Sequence, residues 1–239
     1  MRTNVDYADE QITVYRECPY QCAYCWAQLP LFKRRIQRGK YDPEAEAARA
    51  AVRCKGRIVV SFTTDPYPPQ ELELKRTRRV LEALRSYGAR EVWVLTKNPK
   101  LALRDLDLYG PDWRLGTTIV SLVKTKWEPY APPPEERRVA LKEAKERGVK
   151  TWLSIEPYLP GVTYPFRIVF ETHEYVDLYV LGTCNYARRI GVDVEKLEAE
   201  LKCGTISNTI ALLQHLRKPF IVKGELREQL EKLGEWRWR

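Results

Sequence analysis

Three cysteines stand close together near the start of the chain, in Glu17-Cys18-Pro19-Tyr20-Gln21-Cys22-Ala23-Tyr24-Cys25-Trp26, spaced C-x3-C-x2-C with an aromatic residue just before the last. Three thiolates so near in sequence can take three corners of one iron–sulfur cubane and leave its fourth iron without a protein ligand, open to a substrate or cofactor. An open iron implies chemistry rather than structure alone. Two other readings stand beside this one. A structural zinc needs a fourth ligand; its candidates are Cys54, Cys184, Cys203, His173 and His215, none of which forms a second C-x2-C or H-x3-H pair. Ordinary core thiols would require a loop to bury three cysteines with nothing to hold, which loops seldom do.

The elements that must position these residues alternate along the chain. Apolar, β-branched runs at Gln11–Tyr15, Arg57–Phe62, Glu91–Leu95, Leu115–Val120, Lys150–Ile155, Val176–Leu181 and Phe220–Val222 predict strands. Helical patterns lie between them, at Glu44–Val52, Leu74–Tyr87, Pro134–Arg147 and Ile206–Leu216. In the second, Leu74, Val80, Leu81, Leu84 and Tyr87 share a face and Gly88 supplies the stop. In the third, prolines and then Glu135-Glu136 open the helix and Gly148 follows it. Such an alternation predicts an α/β fold with a parallel sheet, closed partly or completely into a (β/α) barrel. Reactive groups should then gather at the carboxyl ends of the strands.

Polar residues do stand at those ends. After the cysteine loop come Thr63-Thr64-Asp65-Pro66-Tyr67-Pro68-Pro69-Gln70-Glu71, Thr96-Lys97-Asn98-Pro99, Thr117, Thr118 and Ser121, Ser154-Ile155-Glu156-Pro157, Gly182-Thr183-Cys184-Asn185-Tyr186 and Lys223. Any one of them is what an ordinary turn uses. Together they outline a pocket, in which Lys97 and Glu156 require partners or a polar ligand. A thiol facing that pocket, Cys184, is chemically able to give a hydrogen atom to a substrate radical, and its plain alternative is a small buried residue.

The 239 residues suffice for one large domain, with a core over about 11–224 followed by a C-terminal helix and a basic Trp/Arg tail over 225–239. No apolar stretch approaches the length of a membrane span, and the first residues lack the apolar region of a secretion signal, so a cytoplasmic protein is expected. Six cysteines fit such a reducing compartment. The formal charge of +9 favours a polyanionic partner such as nucleic acid, or general solubility. Basic clusters occur at Lys33-Arg34-Arg35 with Arg38 and Lys40, at Lys75 to Arg79, and in the tail Glu235-Trp236-Arg237-Trp238-Arg239, whose alternating Trp and Arg suit stacking on bases.

The cysteine run, including Tyr24, resembles the signature of the radical S-adenosylmethionine (SAM) superfamily. The resemblance implies a [4Fe-4S] cluster on Cys18, Cys22 and Cys25, SAM chelated to the fourth iron, and reductive cleavage of SAM to a 5′-deoxyadenosyl radical that acts on a substrate. The Thr64-Asp65-Pro66-Tyr67-Pro68-Pro69-Gln70-Glu71 segment, with Pro68 where the motif has Gln, resembles radical SAM proteins of the spore photoproduct lyase-like group. Val94 to Pro99 with Leu103-Arg104-Asp105-Leu106, and Glu128 to Arg137, resemble the same group. By that analogy Thr64 and Asp65 shape the pocket for the methionine part of SAM. Lys97 and Thr118 or Ser121 meet its carboxylate or ribose, and Ser154 and Glu156 its ribose or amine. The implied partners are a one-electron donor and a substrate, with nucleic acid the leading class; a peptide or small metabolite is the other option. A zinc-stapled, non-catalytic nucleic-acid-binding protein is the rival function.

Overall fold

A computed structural model describes residues 5–37, 41–60 and 62–236, with the side chains of 35–37 left aside. Of the basic clusters, the Arg35 side chain, Arg38, Lys40 and the terminal Arg237-Trp238-Arg239 therefore lie outside the described residues.

Seven strands form one sheet: β1 (Glu10–Ile12), β2 (Arg57–Val60), β3 (Glu91–Leu95), β4 (Arg114–Thr118), β5 (Lys150–Ile155), β6 (Leu178–Leu181) and β7 (Phe220–Val222). They lie side by side in chain order and every neighbouring pair is parallel. Because β1 and β7 are the sheet's two edges, the expected barrel is partial, a half-barrel. The helices are α1 (Pro30–Gln37), α2 (Pro43–Arg53), α3 (Glu71–Leu74), α4 (Arg76–Ser86), α5 (Pro99–Ala102), α6 (Pro134–Glu146), α7 (Pro165–Thr172), α8 (Val194–Lys202), α9 (Thr205–His215) and α10 (Gly224–Lys232). Among the described residues no helix is long and apolar enough to cross a membrane.

Side chains alternate between the two sheet faces with the strand period of two. Ile58, Val60, Val92, Val94, Leu153 and Ile155 pack outward with the helical residues Ala47, Val80, Leu84, Leu141 and Ile210. Val59, Trp93, Trp152 and Val180 point inward, where Val5 and Tyr7 from the amino-terminal segment join them. Trp93 and Trp152 lie 5.0 Å apart between ring centroids. Gly116 on β4, the register partner of Trp152, has no room for a side chain: a Cβ there would lie 2.2 Å from the indole nitrogen, which donates to the Val94 carbonyl. Gly116→Ala is therefore expected to cost about 1–3 kcal/mol through overpacking. Urea denaturation reads this directly, and an unchanged midpoint would contradict the packing described.

Local signals explain most element ends. Asp42 caps α2 by accepting from the Glu44 and Ala45 amides. The helix expected over Leu74–Tyr87 is instead two, broken at Lys75, whose φ is 48°. The break is held by a side-chain cap: the Glu71 carboxylate accepts from the Thr77 amide at 3.0 Å and the Arg78 amide at 3.4 Å, capping α4 from the preceding short helix. β1 stops at Ile12 rather than Tyr15, and beyond it the Thr64 hydroxyl donates to the Tyr15 carbonyl at 2.6 Å.

Candidate active site

The carboxyl ends of the strands open on one cavity enclosing about 910 Å³, open solvent included. Cys18, Cys22 and Cys25 form one wall, and Tyr24, Thr64, Asp65, Lys97, Thr118, Ser154 and Glu156 also line it. Ten of the residues singled out from the sequence thus meet in a single space.

The cysteine loop is pinned from several directions. The Cys25 amide donates to the Cys22 carbonyl at 2.9 Å, the Ala23 amide to the Trp127 carbonyl at 2.9 Å, and the Tyr20 hydroxyl to the Tyr67 carbonyl at 2.7 Å. Gln21 takes a left-handed φ of 43°, which turns the chain between the first two cysteines. Burial pushes the Cys18 thiol up to about 11 and the Cys22 thiol up to about 12, and it raises Cys25 as well. Such thiols become thiolates only when a metal centre takes the place of their protons.

The donor set fits a cluster better than a single ion. Among the described residues no three His, Cys, Asp or Glu side chains gather closely enough to hold one metal ion. Cys54, Cys184, Cys203, His173 and His215, the candidates for a fourth zinc ligand, all lie outside the cavity lining. Three thiols lining one cavity can take three corners of a cubane and leave its fourth iron open, whereas a structural zinc would need a fourth ligand beside them.

Asp65 is a brace rather than a free acid. Its carboxylate accepts from the Tyr67 amide at 2.9 Å, the Thr96 hydroxyl at 2.7 Å and the Lys97 amide at 2.7 Å, tying the turn after β2 to the end of β3. Burial pushes its pKa upward against these donors. Glu71, at the end of the same run, is fully buried and accepts from the Tyr15 hydroxyl and from Arg104, whose guanidinium also binds the Glu71 carbonyl at 2.7 Å. Arg104 and Arg78 each meet Asp105 at 3.1 Å, and Asp105 accepts from the Tyr67 hydroxyl at 3.1 Å. The segments Thr64–Glu71 and Leu103–Leu106 therefore form one buried polar hub beneath the cavity.

A second buried network carries Lys97 and Tyr24. The Lys97 ammonium lies 2.9 Å from the Glu128 carboxylate and 5.3 Å from the Tyr24 ring centroid. The Tyr24 hydroxyl donates to the same carboxylate. Arg137 closes the set at 2.6 Å and donates to the Pro132 and Thr118 carbonyls at 2.8 and 3.0 Å. Burial works against the ionised Glu128, but Lys97 and Arg137 outweigh it and hold its carboxyl down to about 2. Burial would likewise lower Lys97, and Glu128 and Cys22 keep its pKa raised, so it stays charged.

Because Glu128 titrates in the fold at about 2, below the ordinary 4.5, its contribution to stability is complete above 4.5 and lost as pH falls through 2. That contribution is worth roughly 3 kcal/mol. The stability gap between wild type and Glu128→Gln, measured by thermal unfolding, should accordingly shrink as pH is lowered from 5 to 2. A gap that stays constant would show that Glu128 is not ionised in this network.

At the opposite wall Lys223, beyond β7, donates to Glu156 at 2.6 Å. Burial pushes the Glu156 carboxyl up even so. Gly182 makes room for it, since a Cβ there would lie 2.6 Å from the Glu156 carboxyl carbon. Thr118 and Ser154, 6% and 2% exposed, offer hydroxyls to the cavity from β4 and β5.

Two expected residues do not reach this space. Ser121 lies past the end of β4, where its hydroxyl accepts from the Val123 amide. Cys184 is buried close enough to Glu156 for that carboxylate to add to the effect of burial in raising its thiol pKa, but it is Thr183 and Asn185 that line the cavity. Glu128, Arg137 and Lys223 received no role from the sequence. The first two stood in a run quoted only for resemblance, and Lys223 stood among the polar strand ends outlining a pocket without being assigned to Glu156.

No family model matches the chain. It is 30% identical over 192 residues to the uncharacterized protein MJ0683 of Methanocaldococcus jannaschii, covering 77% of this chain and 73% of that protein. It is 32% identical over 115 residues to the uncharacterized protein ORF301 of Acidianus two-tailed virus, covering 45% of this chain and 37% of that one. Among solved structures, Streptococcus suis SuiB bound to S-adenosylmethionine superposes with a TM-score of 0.64 at 12% identity, over 98% of this chain and 54% of SuiB. SuiB bound to its precursor peptide SuiA gives 0.65 at 11% identity, over 99% of this chain and 54% of SuiB. Methylornithine synthase (PylB) gives 0.50 at 10% identity, over 96% of this chain and 83% of PylB. The chain thus spans about half the length of SuiB. These likenesses establish the fold, the partial barrel of radical SAM enzymes.

Proposed function

The chain belongs to the same family as the Methanocaldococcus jannaschii protein MJ0683, and we propose that it is a radical SAM enzyme. The observation that carries this reading is the convergence of Cys18, Cys22 and Cys25 on a single cavity at the carboxyl ends of a seven-stranded parallel half-barrel. In this reading the three thiolates hold a [4Fe-4S] cluster. Bound there, the cluster supplies the electron that cleaves SAM to methionine and a 5′-deoxyadenosyl radical.

The remaining residues bind and orient. Asp65 and Thr64 fix the turn that shapes the methionine end of the pocket. Lys97, steadied by Glu128, presents a cation to the SAM carboxylate, and Tyr24 packs beneath that cation. Thr118 and Ser154 offer hydroxyls to the ribose. Glu156, steadied by Lys223, faces the SAM amine or ribose, where a cation would favour its charged form. Ser121 and Cys184 drop out of the contact set, and the hydrogen donor, where the reaction needs one, is sought elsewhere.

A macromolecular substrate is favoured by the precedent of SuiB, which is seen with its precursor peptide. Nucleic acid rests on the formal charge of +9, the basic clusters and the Trp/Arg tail, whose last three residues lie outside the described residues. The spore photoproduct lyase-like grouping rests on the Thr64–Glu71 and Glu128–Arg137 runs, several of whose polar residues form the two buried networks. None of Cys54, Cys184, Cys203, His173 and His215, the fourth ligands that the zinc-stapled alternative would draw on, lines the cavity.

Titration calorimetry of the reconstituted protein tests the assignment of Glu156. Glu156→Gln should raise the SAM dissociation constant about tenfold or more with the cluster's visible absorption intact. An unchanged affinity would remove Glu156 from the SAM site.

A further inference from the structure

The half-barrel leaves its two edge strands apart, and the segment just before β1 reaches from one to the other. On the near side the Asp9 amide donates to the Arg57 carbonyl at 2.9 Å, the Asp9 carboxylate accepts from the Arg57 amide at 2.8 Å, and the Arg57 guanidinium binds the Tyr7 carbonyl at 2.7 Å. On the far side, beyond β7, the Asp6 carboxylate accepts at 2.5 Å from the amide of Gly224, the first residue of α10. Between these anchors the Tyr7 ring packs against Trp93, Trp152 and Phe62, and Phe62 lines the active cavity. We infer that Asp6 is a positioning residue for that cavity: it fixes the first turn of α10, and with it Lys223 and the Glu156 carboxylate. The inference rests on Glu156 as a SAM contact, as proposed above.

The seating of α10 carries the argument. Lys223 stands at its N-cap, a position where Ser, Thr, Asp or Asn ordinarily accepts from the first amides of a helix. A lysine ammonium has no acceptor to offer, and this one donates instead to Glu156 at 2.6 Å. Asp6, 218 residues away in sequence, supplies the missing acceptor and places a carboxylate at the positive end of the helix. The approach is close: a Cβ on Gly224 would lie 3.1 Å from the same carboxylate oxygen. The Lys223 amide donates to the Leu181 carbonyl at 2.9 Å, so its backbone is gripped by β6 on one side and, through Gly224, by Asp6 on the other. The Lys223 ammonium also lies 5.4 Å from the centroid of the Phe62 ring that Tyr7 supports. Leu226 and Leu230, both buried, hold the body of α10, so loss of Asp6 frees its first turn without unseating the helix. Asp6 is exposed and solvent screens its charge, so its hydrogen bond carries the effect.

Calorimetric titration of the reconstituted protein with SAM tests this. Asp6→Ala should raise the dissociation constant about threefold to tenfold with the cluster's visible absorption intact. Asp6→Asn, whose side-chain oxygen still accepts from Gly224, should bind SAM nearly as the wild type does. Asp9→Ala releases the same segment at its other anchor; it should lower the urea midpoint and leave SAM affinity unchanged. In the Glu156→Gln background Asp6→Ala should add little, because both act through one pair. Wild-type affinity in Asp6→Ala, beside a Glu156→Gln variant that has lost affinity, overturns this inference alone. So does a loss that Asp6→Asn or Asp9→Ala shares in full, or one that persists undiminished in the Glu156→Gln background, since none of these runs through the Gly224 hydrogen bond to Glu156. Wild-type affinity in Glu156→Gln overturns the SAM assignment of that carboxylate and this inference together.

Discussion

Alanine at Cys18, Cys22 or Cys25 is expected to abolish iron–sulfide uptake and SAM cleavage together, whereas Cys54→Ala and Cys203→Ala should retain both. The contrast follows from placement. Cys18, Cys22 and Cys25 are presented to one cavity by a loop pinned at Tyr20, Ala23 and Cys25. Cys54 caps the end of α2 and Cys203 the end of α8, and neither lines that cavity. A cubane that loses one of three protein thiolates loses a corner that no other side chain in the lining can supply as a thiolate. Iron and acid-labile sulfide analysis with visible absorption measures the first loss, and chromatography of SAM products the second. Full retention of cluster and cleavage in Cys22→Ala would refute the assignment.

The largest loss of stability is expected at Glu71. Glu71→Ala should cost about 3–5 kcal/mol, because it strands buried partners on three elements at once. The Tyr15 hydroxyl loses its acceptor, the Thr77 and Arg78 amides lose their cap, and Arg104 is left half-paired with Asp105 as its remaining carboxylate. Asp105→Ala should be destabilising as well, and the double variant less than additive, since both carboxylates bind Arg104. Urea unfolding reads these costs in the midpoint at constant slope. A Glu71→Ala midpoint within error of wild type would show that the hub contributes little.

The strands were legible because each is a short, β-branched run between polar turns, and strict β/α alternation leaves few topologies other than a parallel sheet in chain order. The cysteine loop was legible because its ligands are close in sequence. What escaped depends on side-chain contacts and chain turns that a hydrophobic pattern does not carry. The break at Lys75 comes from Glu71 capping α4, which local helix propensity around Leu74 does not reveal. Glu128 lies ten residues past β4 and reaches the cavity only because Arg137 folds back onto the Thr118 carbonyl. Cys184 was placed in the pocket by counting from a strand end, but β6 stops at Leu181 and the chain then turns Thr183 and Asn185 inward. Asp65 and Glu71, polar residues that sequence associates with ligand binding, prove to be largely committed to holding turns and helices together.

The central claim is tested most directly under anaerobic conditions: reconstitute the protein with iron and sulfide, reduce it with dithionite, add SAM, and measure 5′-deoxyadenosine by chromatography. The account predicts a brown protein that forms 5′-deoxyadenosine and methionine from SAM. A colourless protein that retains zinc, takes up no iron and leaves SAM intact would contradict it.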